Sequence, residues 1–348
     1  MTQQSDIEAC RELLRDGSRT FFAASLVLPR AVSDPAIALY AFCRKADDAI
    51  DLGGGDRREA LERLEHRLAL AYAGHPYQDP ADRAFADVVA RFAIPRALPE
   101  ALIEGLAWDT QARRYDSLSD LLAYAVRVAG TVGAMMSLLM GRREPDVVAR
   151  ACDLGIAMQL TNIARDVGED ARAGRLYLPR QWMGEFGIDP DLWLSAPDFD
   201  ARIGQVVSRL LAIADVFYER AMIGIGKLPR SCRPSIHAAR LIYAEIGREV
   251  ARAGHDSVSR RAVVSWSRKL RLLGDAFAAS FVVPELTAAE PAQVEARFLI
   301  DAVAAALPPR LASSVRPTRQ GAVGRAVWVI ELFERLERRE QVIRSGRA

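Results

Sequence analysis

The chain has 348 residues, enough for one large domain or two with a proper core. Half of them are hydrophobic and few are aromatic, which with abundant Ala, Leu and Arg points to a soluble, mostly helical protein. A net charge of +2 is too small to argue for nucleic-acid binding. Cys10, Cys43, Cys152 and Cys232 are scattered without a CxxC pair, as expected of reduced core residues in a cytoplasmic protein. His66, His75, His237 and His255 lack metal-site spacing, so no zinc site is indicated. The N-terminus has no basic flank followed by an apolar run, so no signal peptide is expected. Nor is there an uninterrupted apolar stretch of the roughly 20 residues that span a bilayer.

In chain order, a short amphipathic helix over Asp6–Asp16 is followed by GSRTFFAASLVLPR, in which Gly17 breaks the helix, Ser18 or Thr20 caps the next turn and Pro29 ends it. Ser33 and Pro35 mark the start of a helix that passes Tyr40 and stops at Gly53, Gly54 and Gly55. Polar-faced scaffold helices are expected at about 57–73 and 80–92, and Pro95 and Pro99 punctuate the start of one ending near WDTQARRYDS. In LLAYAVRVAGTVGAMMSLLMG, the small residues Ala129, Gly130, Gly133 and Ala134 permit close approach of either a neighbouring helix or a bulky apolar ligand. Pro145 opens a helix ending near Gly174, and further helices are expected at about 199–226, 234–253 and 260–281. No period-2 strand pattern, phosphate loop or dinucleotide fingerprint is present. The tail after Pro284 alternates helical and Pro-broken pieces. It ends in an amphipathic helix with Val327, Ile330, Leu332, Phe333 and Leu336 on one side and Arg335, Arg338, Arg339, Arg344 and Arg347 at its end, suited to docking as scaffold or to an anionic membrane surface.

Two acidic stripes stand out. In QLTNIARDVGED, Gln159, Asn162, Asp166 and Asp170 share one helix face, although the preceding ACDLGIAMQL is nearly continuous apolar helix. In FCRKADDAID, Arg44, Asp47, Asp48 and Asp51 share another. A lone acidic stripe is most often a solvated face, but two on apolar helices need cations. Hard divalent ions such as Mg²⁺ bind through carboxylates, waters and substrate phosphates. Arg44 and Arg165 suit phosphate oxygens, or each pairs with an aspartate of its own helix.

DDAID and QLTNIARDVGED resemble the paired aspartate motifs of the squalene and phytoene synthase family of head-to-head prenyl transferases. GSRTF, LYAFCRKADDAID, YAVRVAGTVG, ACDLGIAMQLTNIARD, GRLYLP and AARLIYAEIG match in order over about residues 7–273, and are most like those of the bacterial phytoene-forming members. The resemblance implies an all-α class I isoprenoid synthase bundle around a central cavity over residues 1–283, with 284–348 a helical extension of untransferred role. It implies condensation of two geranylgeranyl diphosphates, through prephytoene diphosphate, to phytoene and two diphosphates. Asp47, Asp48, Asp51, Asn162, Asp166 and Asp170 would hold Mg²⁺, with Mn²⁺ a substitute and no NADPH required.

By the same resemblance, Ser18, Arg19, Thr20 and Phe21 close over a diphosphate, and Gln159, Tyr40, Tyr124 and Tyr243 line the cavity where carbocations form. Arg260 and Arg268 lie in a basic run better read as a solvated face. Gly17 stands where some dehydrosqualene-forming relatives carry histidine. The alternatives are a squalene-type synthase using farnesyl diphosphate and a non-catalytic assembly factor of the same fold. The implied partners are an isoprenoid diphosphate, a membrane met peripherally from the cytoplasmic side, and downstream carotenoid enzymes, with no nucleic acid.

Overall fold

The computed structural model describes residues 4–17, 28–51, 57–281 and 290–306; side chains at 16, 17, 47–51 and 57 stand outside that description. The described residues are helical, with no strand among them. The helices are α1 (Gln4–Gly17), α2 (Arg30–Asp51), α3 (Arg57–Tyr72), α4 (Pro80–Phe92), α5 (Ala97–Thr110), α6 (Leu118–Ala125), α7 (Thr131–Leu139), α8 (Pro145–Arg172), α9 (Arg180–Glu185), α10 (Pro190–Ser195), α11 (Ala201–Lys227), α12 (Arg233–Arg252), α13 (Trp266–Ala279) and α14 (Arg297–Ala305). A π-helical turn, Val126–Gly130, joins α6 to α7.

The 28-residue α8 is the axis of the bundle. It lies antiparallel to α11, because Asp146 pairs with Lys227, Asp153 with Arg220 and Thr161 with Tyr218. Its other side meets the π-turn and α7 at glycine contacts. A Cβ on Gly155 would lie 2.2 Å from the Ala129 carbonyl oxygen, and one on Gly133 2.1 Å from that of Ala151. The small residues therefore serve both expected purposes: Gly130 and Ala134 are buried in the packing, while Ala129 and Gly133 also line an internal cavity.

Three expectations are corrected. Helix α2 begins at Arg30, so Pro35 sits inside it and withholds one hydrogen bond from the Ala31 carbonyl; burial of Ile37, Leu39 and Phe42 holds the helix nonetheless. Residues 260–265 are not helical, and α13 starts only at Trp266. The preceding chain is held against α8, where Gly168 N–H donates to the Ser257 carbonyl at 3.0 Å and a Cβ on Gly168 would lie 2.1 Å from the Val258 oxygen. The continuous helical run Leu118–Leu139 is long and apolar enough to cross a membrane, contrary to the sequence reading, yet it packs in the core between α5 and α8.

Cys10, Cys152 and Cys232 are buried and Cys43 half-buried, and none of the four forms a disulfide among the described residues. The Gly17 break is placed at the last residue of α1. Residues 18–21, the glycines 53–55 and the basic helix around 327–347 lie outside the described residues.

Buried Glu245 ties α12 to α13 by accepting from Arg268 at 2.9 and 3.1 Å, with Arg248 and Arg252 on the same carboxylate. Burial opposes its ionisation, but the three arginines hold its pKa down at about 2. The glycine contacts yield a direct expectation. Gly155→Ala forces backbone against backbone and should cost about 2–3 kcal/mol in chemical denaturation, whereas Gly184→Ala, with nothing within 4 Å of the new Cβ, should be neutral or slightly stabilising.

Candidate active site

A cavity of about 320 Å³ runs inside the bundle. Its walls are the Ala36–Cys43 part of α2, the π-turn and α7, the inner face of α8, the end of α11, and α12 as far as Tyr243. Almost all of the lining is apolar. On α8 the lining runs from Val147 to Asn162, about 22 Å at 1.5 Å per residue. The polar stripe begins where the apolar lining stops: Gln159 and Asn162 are its last α8 members, and Asp166 and Asp170 follow one and two turns on.

Asn162 Oδ1 is buried and has no hydrogen-bond partner among the described residues. A buried, unsatisfied carbonyl oxygen costs roughly 1–3 kcal/mol, so it stands ready for a ligand. Asp166 is clamped by two arginines. Arg165, its neighbour, donates through Nε at 2.7 Å, and Arg261 donates through Nε at 2.7 Å and Nη2 at 3.3 Å. Burial opposes ionisation of Asp166, but these charged donors hold its pKa below the ordinary carboxylate range. Asp170 has weaker support. Burial pushes its pKa up to about 7, Arg175 at 3.5 Å opposes the rise, and the charges of Asp166 and Asp109 add to it.

Of the residues expected at the site, Tyr40, Gln159, Asn162 and Tyr243 come together around the cavity. Tyr243 is buried, which lifts its hydroxyl pKa to about 12, and it feels Arg165, Tyr40 and Asp166. Tyr40 and Tyr243 therefore stand at the end of the cavity nearest the α8 carboxylates. Arg44 is half-buried on α2, and Asp47, Asp48 and Asp51 occupy the last turns of that helix. Among the described residues no three His, Cys, Asp or Glu side chains cluster as a ready metal site. For Arg165 the structure realises the second alternative, pairing on its own helix.

Tyr124 is placed differently. It is absent from the cavity lining and belongs to a stack with Tyr115 and Tyr177. Its hydroxyl donates to Asp109 Oδ2 at 2.9 Å, and Tyr177 donates to Oδ1 at 2.7 Å. Burial, then the Asp109 charge, raises the Tyr124 pKa well above its ordinary value.

Asp109 was missed because WDTQARRYDS reads as an ordinary helix end, and only tertiary packing brings Tyr124 and Tyr177 to it. Arg261 was missed for a similar reason. The basic run does reach the motif, but through Arg261, while Arg260 donates to the Ala253 carbonyl and Arg268 serves Glu245.

The fold and site define an all-α protein whose apolar cavity ends at a paired carboxylate and arginine cluster. The model of the squalene/phytoene synthase family matches residues 14–269, and the chain belongs to that family. It is 49% identical over 360 residues to a phytoene synthase of Cereibacter sphaeroides, covering all of this chain and 98% of that one. It is 56% identical over 277 residues to a phytoene synthase of Rhodobacter capsulatus, covering 79% and 82%. The fold resembles that of a dehydrosqualene synthase solved in complex with ligand, at TM-score 0.72 and 32% identity, covering 79% and 96%.

The Asp170 carboxyl makes a pH-dependent prediction for the metal-free chain. It ionises near 4 when unfolded and near 7 when folded, so folding binds its proton between those values and stability falls as pH rises through the window. Asp170→Asn removes the penalty. Its gain in unfolding free energy should grow from near zero at pH 4 to on the order of 1–3 kcal/mol at pH 8, measured by urea titration at both pH values.

Proposed function

We propose that the chain is a Mg²⁺-dependent phytoene synthase, joining two geranylgeranyl diphosphates head to head through prephytoene diphosphate. The observation that carries the reading is the polar end of the apolar cavity, where the orphaned Asn162 oxygen precedes Asp166 and Asp170 at one-turn intervals. Relatives named phytoene synthase, one matching the full chain at 49% identity, support the choice of reaction.

The donor set fits a hard divalent cation, because amide and carboxylate oxygens are what such ions take. Asn162, Asp166 and Asp170 would hold it from α8, and Asp47, Asp48 and Asp51 from α2. Bound there, Mg²⁺ supplies Lewis-acid stabilisation of charge on a departing diphosphate. Arg165 and Arg261, which now neutralise Asp166, are placed to release their forks to phosphate oxygens when cations take over the carboxylate. Arg44, with Ser18, Arg19, Thr20 and Phe21, would contact diphosphate from the α2 side.

Each half of the reaction releases one diphosphate and one proton; the first leaves prephytoene diphosphate and the second the hydrocarbon. Carbocations formed on the way need an enclosure that excludes water and offers no nucleophile. The apolar walls meet the first need, and the ring faces of Tyr40 and Tyr243 suit a nearby positive charge. Tyr124 would act from the Asp109 cluster, outside the cavity lining. The product is insoluble in water, so the reading includes release at the cytoplasmic surface of a membrane and transfer to downstream carotenoid enzymes.

Purified protein with Mg²⁺ and either geranylgeranyl or farnesyl diphosphate tests the reading by extraction and identification of the hydrocarbon. Phytoene from the longer substrate is expected. A product made only from farnesyl diphosphate would move the chain to the squalene-type branch, and no product from either would return it to the non-catalytic reading. Asp166→Ala should cut turnover by at least about a thousandfold while the far-ultraviolet circular dichroism stays helical.

A further inference from the structure

The family match ends at residue 269, yet residues 290–306 are seated on the catalytic bundle at three places. Behind the α8–α11 seam, the Pro291 carbonyl accepts from Arg150 Nη2 at 3.2 Å and from Arg220 Nη2 at 2.9 Å. Both arginines also pair with Asp153, at 3.0 and 3.1 Å, and Arg220 meets Glu290 at 3.5 Å. Asp153 is fully buried and Arg150 nearly so. At the π-turn, the Phe298 ring lies 5.4 Å from the guanidinium of Arg127, which is held from its other sides by Trp108 and Glu104. At the start of α6, Ser119 donates to Glu295. Leu299, Ile300 and Val303 of α14 are buried.

Two of the anchors bear directly on the cavity. Arg150 is itself a lining residue, at the end of the cavity away from Asn162, and its stem fills the space left by Gly224 of α11. Arg127 precedes Val128 and Ala129, which line the wall adjoining α8. A π-turn leaves the regular helical ladder, so its side chains are set by what holds them from outside. Here the outside partners are Trp108, Glu104 and Phe298.

We propose that residues 290–306 are a brace that fixes the spacing of the α8 and π-turn walls and thereby sets the prenyl chain length the cavity accepts, with Arg127, Arg150 and Phe298 as positioning residues. Of the anchored groups, Arg150 lines the cavity and Arg127 adjoins the lining residues Val128 and Ala129. The inference rests on the prenyl-diphosphate reading above.

The full chain carrying Phe298→Ala provides the test, since this ring is exposed and its loss spares the core. Two quantities are measured that need no turnover. One is the affinity for thiolo-diphosphate analogues of the geranylgeranyl and farnesyl chains; the other is amide hydrogen exchange over residues 126–133 and 147–155. The brace predicts that the ratio of the two affinities changes at least about fivefold and that exchange at 126–133 accelerates about tenfold, while residues 61–92 exchange as before. Phe298→Tyr should restore both. Asp153→Asn should loosen 147–155 in the same way, and if it fails to fold, Phe298→Ala alone decides. An unchanged affinity ratio or unchanged exchange at 126–133 overturns the proposal. Absence of binding by either analogue to the unmutated chain refutes the prenyl-diphosphate reading and, with it, any role in chain length.

Discussion

Carboxylates at the end of a buried helix impose the constraint from which the rest of this architecture follows. Helix α8 must be apolar enough to run through the core, yet it carries Asp166 and Asp170 on the continuation of its cavity face. Leaving such groups charged and unpaired inside a protein is costly. Asp166 answers with two arginines, one adjacent in sequence and one brought from residue 261, whereas Asp170 answers by holding its proton more tightly. The difference marks where an external cation has most to contribute, because it would replace borrowed positive charge at one carboxylate and displace a proton at the other.

Positioning of Arg261 shows how local sequence serves that constraint. Gly168, one turn from Ala164 in the middle of the motif, allows the backbone at Ser257 and Val258 to lie directly on α8. Arg172 donates to the Val258 carbonyl from the next turn. The chain leaving α12 is thus fastened at two points before it delivers Arg261 to Asp166. The cost is helix at residues 260–265, where apolar periodicity had suggested that α13 was already under way.

Much of this was legible from spacing alone. The Gln159–Asp170 stripe is visible because helical periodicity places those residues on one face, and the contrast with ACDLGIAMQL marks the face as buried. The bundle, the start of α8 at Pro145 and the small-residue contact at Gly133 are readable for the same local reasons. Asp109, Arg261 and the Arg150–Asp153–Arg220 network are not. Each acquires meaning from partners 15 to 141 residues away, and no periodicity encodes such a pairing. Tyr124 illustrates the converse: its motif could be matched, but only packing decides whether its hydroxyl faces a cavity or a buried carboxylate.

The central assignment, a divalent-cation and diphosphate site built on the α8 stripe, is tested most directly by titrating Mn²⁺ with inorganic diphosphate and following free Mn²⁺ by electron paramagnetic resonance, in the native chain and in Asn162→Leu. The leucine substitution keeps the helix and removes a buried oxygen that lacks a partner among the described residues. A loss of at least about tenfold in Mn²⁺ affinity with a melting temperature no lower than that of the native chain is the expected result; equal affinity in the two proteins would contradict the assignment.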